Sequence, residues 1–378
     1  MMKTKKNIIF VSLCFLLLSA FLAGFFLLMQ RHIERRIAQR FYLGENLVKE
    51  GKWEEAAVLF EELSANYPKS RKTPAAIFYQ AFSLEKLGRR PEAYVLLNKV
   101  IDEFPESDWV VPGLLLQARI EKLNGEFLKA QKLYERVTAD FKESPFLEEA
   151  WLGLGEIYEE KGELAEAKSF YERVIEGFPE GAIDESAREH LGNLQIKMIF
   201  SSYPSIGSFV YKVSSGDSLE GVARRFNTTV DLLKEANHLK SKYLSVGRRL
   251  KITPCQFNIL VSKSKNILVL KYKDEVIKIY SVATGKFNST PVGDFKIVNK
   301  LKNPVWFRHG RKIPSGHPDN ILGSHWLGIS EPSYGIHGTT QPESIGQQST
   351  EGCIRMLNKE VEELFKLVTI GTPVKIID

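Results

Sequence analysis

Apolar residues recur at helical spacing through the middle of this 378-residue chain, from residue 41 to residue 200. A representative stretch, AWLGLGEIYEEKGELAEAKSFYERVIEGFPEG, predicts a helix, a glycine turn, a second helix and an aromatic exit. Equivalent positions recur at an interval of 37 residues: Gly51, Gly88, Gly125 and Gly162; Ala56, Ala93, Ala130 and Ala167; Tyr67, Phe104, Phe141 and Phe178. A fixed period of this kind indicates stacked repeats. We therefore predict an all-α array of four helix pairs, a short right-handed solenoid over residues 41–200 with a C-terminal cap at Asp184–Phe200.

The pattern changes after residue 200. Ser201–Ser208 is rich in Ser, Gly and Pro and predicts a linker. Residues 209–252 predict a small α+β domain of βααβ order, with strands at Phe209–Val213 and Leu250–Ile252 and short helices that begin at Asp217 and Thr228.

Residues 253–378 predict a mostly β domain. Short runs rich in Val and Ile are separated by turn residues, at Ile259–Val261, Ile267–Lys271, Val276–Ala283 and Asp294–Asn299. A clear helical period occurs only at Lys359–Val368, with Val361, Leu364, Phe365 and Val368 on one face.

Residues 1–40 contain an uncharged run, Asn7–Met29, behind three lysines. As a helix this run extends roughly 34 Å at ~1.5 Å per residue, enough to cross a ~30 Å hydrocarbon core. A cleaved signal peptide, the alternative, has a shorter apolar region and a small-x-small cleavage site, which we do not find before Gln30. Leu13 before Cys14 also disagrees with a lipoprotein signal. We therefore predict an uncleaved transmembrane helix as a membrane anchor.

The net charge of +6 conceals two opposite regions. Residues 41–200 carry 20 basic and 30 acidic side chains, whereas residues 201–378 carry 25 basic and 15 acidic ones. A basic surface favours anionic partners, nucleic acid among them; a solvated basic face is the alternative. No nucleic-acid-binding signature is present, so we predict no nucleic-acid partner.

The three cysteines are Cys14, Cys255 and Cys353. An odd, sparse set does not make a disulfide framework, and no Cys or His cluster has metal-ligand spacing. We predict no metal and no cofactor. A disulfide between Cys255 and Cys353 would block the candidate nucleophile described next, so we expect Cys255 to be free.

The string HGTTQPESIGQQSTEGCIRM, residues 337–356, combines one histidine, one cysteine and one arginine. Cysteine is a nucleophile as the thiolate, so it requires a base or a positive neighbour. His337 and Arg355 are the candidates for that neighbour. Rival bases outside the string are His309, His317 and His325.

This string resembles the active-site signature of L,D-transpeptidases of the YkuD type. His337-Gly338-Thr339 matches its first part and Thr350-Glu351-Gly352-Cys353-Ile354-Arg355 its second. Glu351 departs from the His or Lys that many members carry. The phrases TPVG at 290–293 and NILGSHWLG at 320–328 also look like the family. The resemblance thus covers residues 253–378 and implies a β-sandwich with the cysteine loop at one edge.

The resemblance also implies the chemistry. Cys353 would attack the third residue of a peptidoglycan tetrapeptide stem, release D-alanine and pass the acyl group to a second stem amine, giving a 3→3 crosslink. His337 would move the protons, and the backbone carbonyl of Gly338 would fix its tautomer. N–H groups of Gly352 and Cys353 would stabilise the oxyanion, and Arg355 would hold a stem carboxylate, with a structural ion pair as the alternative.

Four further residues are candidates for the site. Thr339 and Thr350 are candidate substrate-binding residues, although shaping the loops is the stronger interpretation. Tyr334 and Trp326 are candidates for the pocket wall, with core packing as the stronger interpretation.

Residues 209–252 resemble a lysin motif (LysM), with Gly216-Asp217-Ser218-Leu219 and Ser245-Val246-Gly247 in the expected places. Such domains bind glycans that contain N-acetylglucosamine, including peptidoglycan. The resemblance implies a groove lined by the loop after the second helix and by the first loop, residues Gly216, Asp217, Ser218 and Leu219. For each of these four residues, turn geometry or helix capping is the alternative.

The 37-residue units resemble tetratricopeptide repeats. Two roles are open for them, binding a protein partner and spacing the enzyme from the membrane. Taken together, the resemblances imply a cell-wall enzyme of the bacterial envelope with its C-terminal domains outside the cytoplasm. The alternatives are an L,D-carboxypeptidase, an enzyme that attaches proteins to the wall, and a non-catalytic wall-binding scaffold.

Overall fold

The computed structural model describes residues 2–178, 181, 183–308 and 310–378. Among these residues, it describes the side chains of Leu22 and of every residue from Gly24 onward. The chain divides into two compact units, Met1–Ile157 and Tyr158–Asp378.

The first unit is helical. Its helices are α1 (Met2–Lys49), α2 (Trp53–Asn66), α3 (Thr73–Lys86), α4 (Arg90–Glu103), α5 (Val110–Leu123), α6 (Phe127–Asp140) and α7 (Leu147–Glu160), the last turn of α7 belonging to the second unit. Within this unit α1 packs on α2, α3 on α4 and α5 on α6, as the predicted helix pairs require. The next helix along the chain is α8 (Leu164–Gly177).

The repeating positions have the structural roles that the period predicts. Each repeating glycine lies between two paired helices with a positive φ: Gly51 (72°), Gly88 (78°), Gly125 (79°) and Gly162 (77°). Residues with a side chain rarely adopt this conformation. The repeating alanines Ala56, Ala93, Ala130 and Ala167 are fully buried, as expected where two helices pack closely.

The predicted anchor, Asn7–Met29, lies within α1. Most of this run falls outside the residues whose side chains the structure describes. Among the described residues, no helix combines the length and the apolar character that crossing a membrane requires. The anchor therefore stays a prediction.

The second unit contains α8, α9 (Asp184–Ile199), the LysM-like domain and the mostly β domain. The sequence predicts α9 as a cap on the repeats, but this helix also packs against a strand of the β domain, β5 (Glu275–Ser281). Gly192 permits the approach, since a Cβ there would lie 3.3 Å from the Lys278 Cα. Ile196 and Ile199 belong to the core of the β domain. The core of the β domain therefore includes residues on the N-terminal side of residue 200, where the sequence predicts a domain boundary.

The linker 201–208 is also packed. Ile206 lies against the core of the β domain, and a Cβ at Gly207 would overlap the Tyr272 ring. Lys251 is buried, and its Nζ donates to the carbonyls of Met198 (2.6 Å) and Ser201 (2.8 Å). The predicted linker is therefore a packed segment, because its apolar residue Ile206 and the carbonyl of Ser201 are both engaged.

The LysM-like domain has the predicted βααβ order: β1 (Phe209–Lys212), α10 (Leu219–Arg225), α11 (Val230–Ala236) and β2 (Arg249–Ile252), with β1 and β2 antiparallel. Its helices start two residues after the predicted starts, Asp217 and Thr228. The N-caps are Ser218, which accepts from Gly221 N (3.0 Å), and Thr229, which accepts from Leu232 N (3.0 Å).

The β domain contains one mixed eight-stranded sheet in the order β13-β11-β10-β7-β14-β3-β4-β5. The strands are β3 (Phe257–Ser262), β4 (Ile267–Tyr272), β5, β7 (Gly293–Lys302), β10 (His325–Ile329), β11 (Gly335–His337), β13 (Ile354–Arg355) and β14 (Pro373–Ile377). Smaller pairs join β6 (Thr284–Gly285) to β12 (Gln348–Thr350) and β8 (Trp306–Arg308) to β9 (Arg311–Ile313). The helix α12 (Asn358–Leu367) matches the predicted helix.

The long strand β7 links the two halves of this sheet. Its first residues, Gly293–Lys296, pair with β14, and its last residues, Ile297–Lys302, pair with β10. Buried residues of both halves and of α12 belong to one hydrophobic cluster. The halves of the expected sandwich are therefore hydrogen-bonded parts of one sheet around a shared core, with β13 at one edge.

Candidate active site

Two short parallel strands bring the predicted histidine and cysteine loop together. His337 ends β11, and Cys353 directly precedes the edge strand β13. The pairing places Ile336 opposite Ile354 and His337 opposite Arg355, and Met356 N donates to the His337 carbonyl at 2.8 Å. This parallel register fixes the positions of both strand ends. It therefore also fixes the backbone positions from which the side chains of His337 and Cys353 extend.

His337 is buried, with 2% of its surface exposed. Its Nδ1 lies 2.7 Å from the carbonyl oxygen of Gly338. A carbonyl only accepts, so Nδ1 carries the proton and Nε2 is left as the acceptor. Burial lowers the pKa of His337 to about 4. The imidazole is therefore neutral at pH 7 with Nε2 available as a base.

Trp326 on β10 orients the His337 ring. The two rings stack with centroids 5.9 Å apart and an angle of 18° between planes. The indole is held by its Nε1, which donates to Asn299 Oδ1 at 2.9 Å, and by Gly335, where a Cβ would lie 2.6 Å from it. Core packing was the stronger interpretation of Trp326 in the sequence; the structure places it against the base instead.

Cys353 is partly buried. Burial raises the pKa of its thiol, and a backbone hydrogen bond from Gly335 and the positive charge of Arg355 oppose that rise. The resting groups are therefore a thiol, whose Sγ donates to the Ser333 carbonyl at 3.7 Å, and a neutral imidazole. In such a pair the proton moves to the base as the sulfur attacks.

The turn from Thr350 to Cys353 is closed by the threonine. Thr350 Oγ1 donates to the Cys353 carbonyl at 2.7 Å and accepts from Gly352 N at 3.1 Å. Gly352 has a φ of 131°, and a Cβ there would lie 2.5 Å from the Tyr334 ring. The Gly352 N–H is thus already engaged, contrary to its expected role at the oxyanion. Thr350 shapes the loop, and Tyr334 packs on it.

Arg355 does not point to solvent. It is buried, and its Nη1 donates to Gln341 Oε1 at 3.1 Å and to Ser344 Oγ at 2.9 Å. These two partners are neutral, so they do not form the alternative ion pair, and among the described residues the buried Nε has no hydrogen-bond partner. Binding of a stem carboxylate by Arg355 stays a prediction. Arg355 holds the loop between the histidine and the cysteine and places a positive charge beneath both.

Thr339 is buried and shapes the loop after the histidine, because its Oγ1 accepts from Gln341 N at 2.8 Å. Its backbone N and O both bond to the side chain of Asn358, a residue that the sequence did not single out. The feature of the sequence that could have indicated Asn358 is its position, an asparagine at the start of a predicted helix directly after the motif.

The rival bases have other surroundings. His325 Nδ1 lies 3.0 Å from Ser324 Oγ and its ring packs on Phe365, and exposed His317 lies 3.8 Å from Asp319. His309 lies outside the described residues. Cys255 is free and buried, as expected, and burial raises the pKa of its thiol to about 11.

Glu351, where the sequence departs from the family signature, is exposed and pairs with Arg308 of the β8–β9 hairpin at 3.0 Å. The departure therefore lies at the surface of the loop and leaves Cys353 and His337 unchanged. Among the described residues, no group of three or more His, Cys, Asp or Glu side chains is placed to hold a metal ion.

The predicted glycan-binding residues of the LysM-like domain have structural roles. Gly216 turns the chain with a φ of 88°. Asp217 accepts from Tyr211 Oη and Ser214 N, both at 2.7 Å, while Ser218 caps α10 and Leu219 is buried in the domain core. For these residues the alternative of turn geometry, capping and packing agrees best with the structure.

A thiol, a neutral imidazole and a carbonyl that fixes its tautomer are the groups used by cysteine acyl-transfer enzymes. Residues 256–376 match the family model of the L,D-transpeptidase catalytic domain. Residues 211–253 match the LysM domain, and residues 40–70, 75–107 and 115–182 match tetratricopeptide repeats.

Relatives agree with the family model. The putative L,D-transpeptidase YkuD of Bacillus subtilis is 36% identical over 44% of this chain and 97% of its own length. The putative L,D-transpeptidase YqjB of the same species is 41% identical over 32% of this chain and 70% of its own. A solved L,D-transpeptidase from Mycobacterium smegmatis aligns over 35% of this chain and 65% of that one, at 17% identity and a TM-score of 0.29. From the match to the first relative, this chain belongs to the L,D-transpeptidase family.

Proposed function

We propose that this chain crosslinks peptidoglycan as an L,D-transpeptidase, with Cys353 as the nucleophile and His337 as the base. The observation that carries the proposal is the hydrogen bond from His337 Nδ1 to Gly338 O. This hydrogen bond leaves Nε2 of His337 unprotonated. His337 lies on the strand that pairs with the strand directly after Cys353. The enzyme has the base it needs without an acidic third residue.

In the first half-reaction, Cys353 Sγ attacks the carbonyl carbon of the third stem residue, a diamino acid. Its proton passes to His337 Nε2, and the developing oxyanion takes the Cys353 N–H as a donor. The bond to the terminal D-alanine then breaks, and the leaving amine takes the proton back from Nε2. The product is a thioester on Cys353 and free D-alanine.

In the second half-reaction, the side-chain amine of another stem attacks the thioester. His337 accepts a proton from the amine and returns it to the sulfur as the carbon–sulfur bond breaks. The result is a 3→3 amide crosslink and a regenerated thiol. Water in place of the amine would give a trimmed tripeptide, so the acceptor decides between the transpeptidase and the carboxypeptidase.

The LysM-like domain supports a wall substrate, and it is fixed to the catalytic domain. Thr229 Oγ1 donates to the Lys366 carbonyl at 2.6 Å, and Asp231 pairs with Lys302 at 2.9 Å. Leu232 and Ala236 belong to the catalytic core. We propose that this docking holds bound glycan at a set place relative to Cys353, which raises the effective concentration of stems there.

This docking changes how glycan binding is tested. Deleting residues 209–252 would remove two residues from the catalytic core, so a point substitution is the cleaner test. Tyr243, in the loop after the second LysM helix, is 78% exposed. We expect Tyr243→Ala to weaken retention on insoluble wall in a pull-down while turnover of a soluble stem peptide without sugar stays within twofold. Unchanged retention would contradict a glycan site at this loop.

The central test uses the full chain with purified disaccharide-tetrapeptide, followed by mass spectrometry, with Cys353→Ala as the control. A crosslinked dimer that has lost D-alanine, absent from the variant, supports the transpeptidase. Tripeptide alone supports the carboxypeptidase. Failure of both, with the wall still bound, supports the scaffold instead.

The domains that act on the wall favour a place in the cell envelope. We propose that the catalytic domain acts outside the cytoplasm, and that the repeats either space it from its attachment or bind a protein there. Fractionation of cells that produce the chain tests the location.

A further inference from the structure

Asn358 is the first residue of α12, a helix whose residues Val361 and Leu364 are fully buried. Its carboxamide reaches back to the loop after His337. Oδ1 accepts from Thr339 N at 3.0 Å and from Ser324 N at 3.1 Å, while Nδ2 donates to Thr339 O at 2.8 Å. The helix, anchored in the core, thus holds this loop through a single side chain.

The bond to Thr339 N matters most, because that N–H shares a peptide group with the Gly338 carbonyl. A peptide group is planar, so fixing the direction of its N–H fixes the direction of its C=O. The same Gly338 oxygen lies 2.7 Å from His337 Nδ1. Asn358 and His337 therefore hold opposite ends of one peptide plane.

The surroundings are built for this carboxamide. A Cβ on Gly338 or on Gly323 would overlap Asn358 Oδ1, so the amide oxygen occupies the space beside both glycines. The group must accept from two N–H donors and donate to a carbonyl. Among uncharged side chains of this size, the carboxamide of asparagine offers both functions on one plane.

We infer that Asn358 is a positioning residue for the reaction, which sets the Gly338–Thr339 peptide plane and thereby the His337 tautomer that leaves Nε2 free to act as base. This inference deepens the proposed function and rests on it. Asn358 itself touches neither Cys353 nor the reacting atoms.

The test compares the full chain with Asn358→Leu, which keeps the approximate shape and loses all three bonds, and with Asn358→Asp, which keeps the acceptors. The matched control is Asn258→Leu. Asn258 lies on β3, and its Nδ2 also donates to a backbone carbonyl, that of Lys273, at 2.6 Å. Turnover is measured with disaccharide-tetrapeptide, and the imidazole ¹⁵N shifts report the His337 tautomer, assigned with His337→Gln.

Misplacement of a catalytic group by about 1 Å is able to cost ~10²-fold in rate. We expect Asn358→Leu to lower kcat by about ten- to a hundredfold with KM within twofold, and its His337 spectrum to show a mixture of tautomers. Asn358→Asp should recover part of kcat and the single Nδ1–H tautomer. Asn258→Leu should match the parent chain in both readouts.

An Asn358→Leu variant with the parental tautomer and kcat would overturn the inference. If that variant does not fold, Gly338→Ala displaces the carboxamide from the other side and leaves α12 intact. It should give the same tautomer mixture, and its failure to do so would overturn the inference as well. If the parent chain itself makes no product, the proposed function fails, while the tautomer readout still decides the role of Asn358.

Discussion

The two cysteines whose side chains the structure describes show what makes a thiol reactive in this protein. Cys255 is buried beside Thr228, with its Sγ 3.8 Å from Oγ1, and burial raises its pKa to about 11. Cys353 is also partly buried and its pKa is also raised. At both thiols a backbone hydrogen bond and a nearby cation oppose the rise, with Arg355 as the cation at Cys353 and Lys300 at Cys255. Burial alone therefore does not separate the two sites.

The difference lies in what surrounds each sulfur. Cys353 ends a turn closed by Thr350 and directly precedes an edge strand, which pairs with the strand that carries His337. Cys255 lies among apolar core residues, with the Thr228 hydroxyl and the charge of Lys300 near it. A loop at the edge of a sheet exposes a nucleophile that a core position would leave inert.

The largest expected contrast is between removing the two sulfurs. Cys353→Ala should abolish turnover of disaccharide-tetrapeptide, a loss of about 10⁴-fold or more where a nucleophile acts with its base as a unit. Cys255→Ala should keep activity within twofold and cost about 1 kcal/mol of unfolding free energy, as a buried substitution does. Substantial turnover by Cys353→Ala would refute the assignment.

The next contrast concerns the base. His337→Ala should lower kcat/KM by about 10²- to 10⁴-fold, the usual contribution of general acid–base catalysis. His325→Ala and His309→Ala should stay within a few-fold of the parent, since neither belongs to the motif and His325 packs on Phe365. The reverse pattern in the same turnover assay would transfer the role to another histidine.

Alkylation separates the two thiols without a substrate. Iodoacetamide added to the folded chain should modify the Cys353 peptide about a hundredfold faster than the Cys255 peptide, because thiolate character and access both favour Cys353. In denaturant the two rates should become equal. Peptide mapping by mass spectrometry gives both rates, and equal labelling of the folded chain would remove the contrast.

The pH dependence gives a smaller but sharper effect. His337 must be neutral to accept the proton, and burial lowers its pKa from 6.5 to about 4. Activity should thus fall as pH decreases through about 4, and kcat/KM at pH 5 should remain near its neutral value. A histidine with the ordinary pKa would leave only ~3% active at pH 5. An acid limb near 6.5 would contradict the buried, neutral base.

The repeats could be predicted from the sequence almost completely. From α1 to α6 each helix packs on the next. The same glycine turn and buried alanine therefore recur at one interval, and a period in the sequence becomes a period in space. The strand order of the catalytic sheet could not be predicted. It depends on β7 pairing with two different partners along its length, which no local pattern encodes.

Within the candidate site, the sequence singled out His337, Gly338 and Cys353 because the motif places them in one string, and their catalytic roles stay a prediction. It missed Asn358 and misjudged Trp326, whose contacts with the histidine loop come from other elements of the fold. It also overestimated the Gly352 N–H as an oxyanion donor, since this group already donates to Thr350 Oγ1. Residue type and spacing indicated the candidate reacting groups. The hydrogen-bond partners of the site residues could not be predicted, because they depend on tertiary structure.

The most direct test of the account is to map the covalent intermediate. The full chain is mixed with disaccharide-tetrapeptide, quenched rapidly in acid and digested for mass spectrometry, with Cys255→Ala and Cys353→Ala treated alike. We predict an adduct equal to the donor minus D-alanine on the Cys353 peptide of the parent and of Cys255→Ala, and none in Cys353→Ala. D-alanine release by Cys353→Ala, or an adduct on any other residue, would contradict Cys353 as the nucleophile.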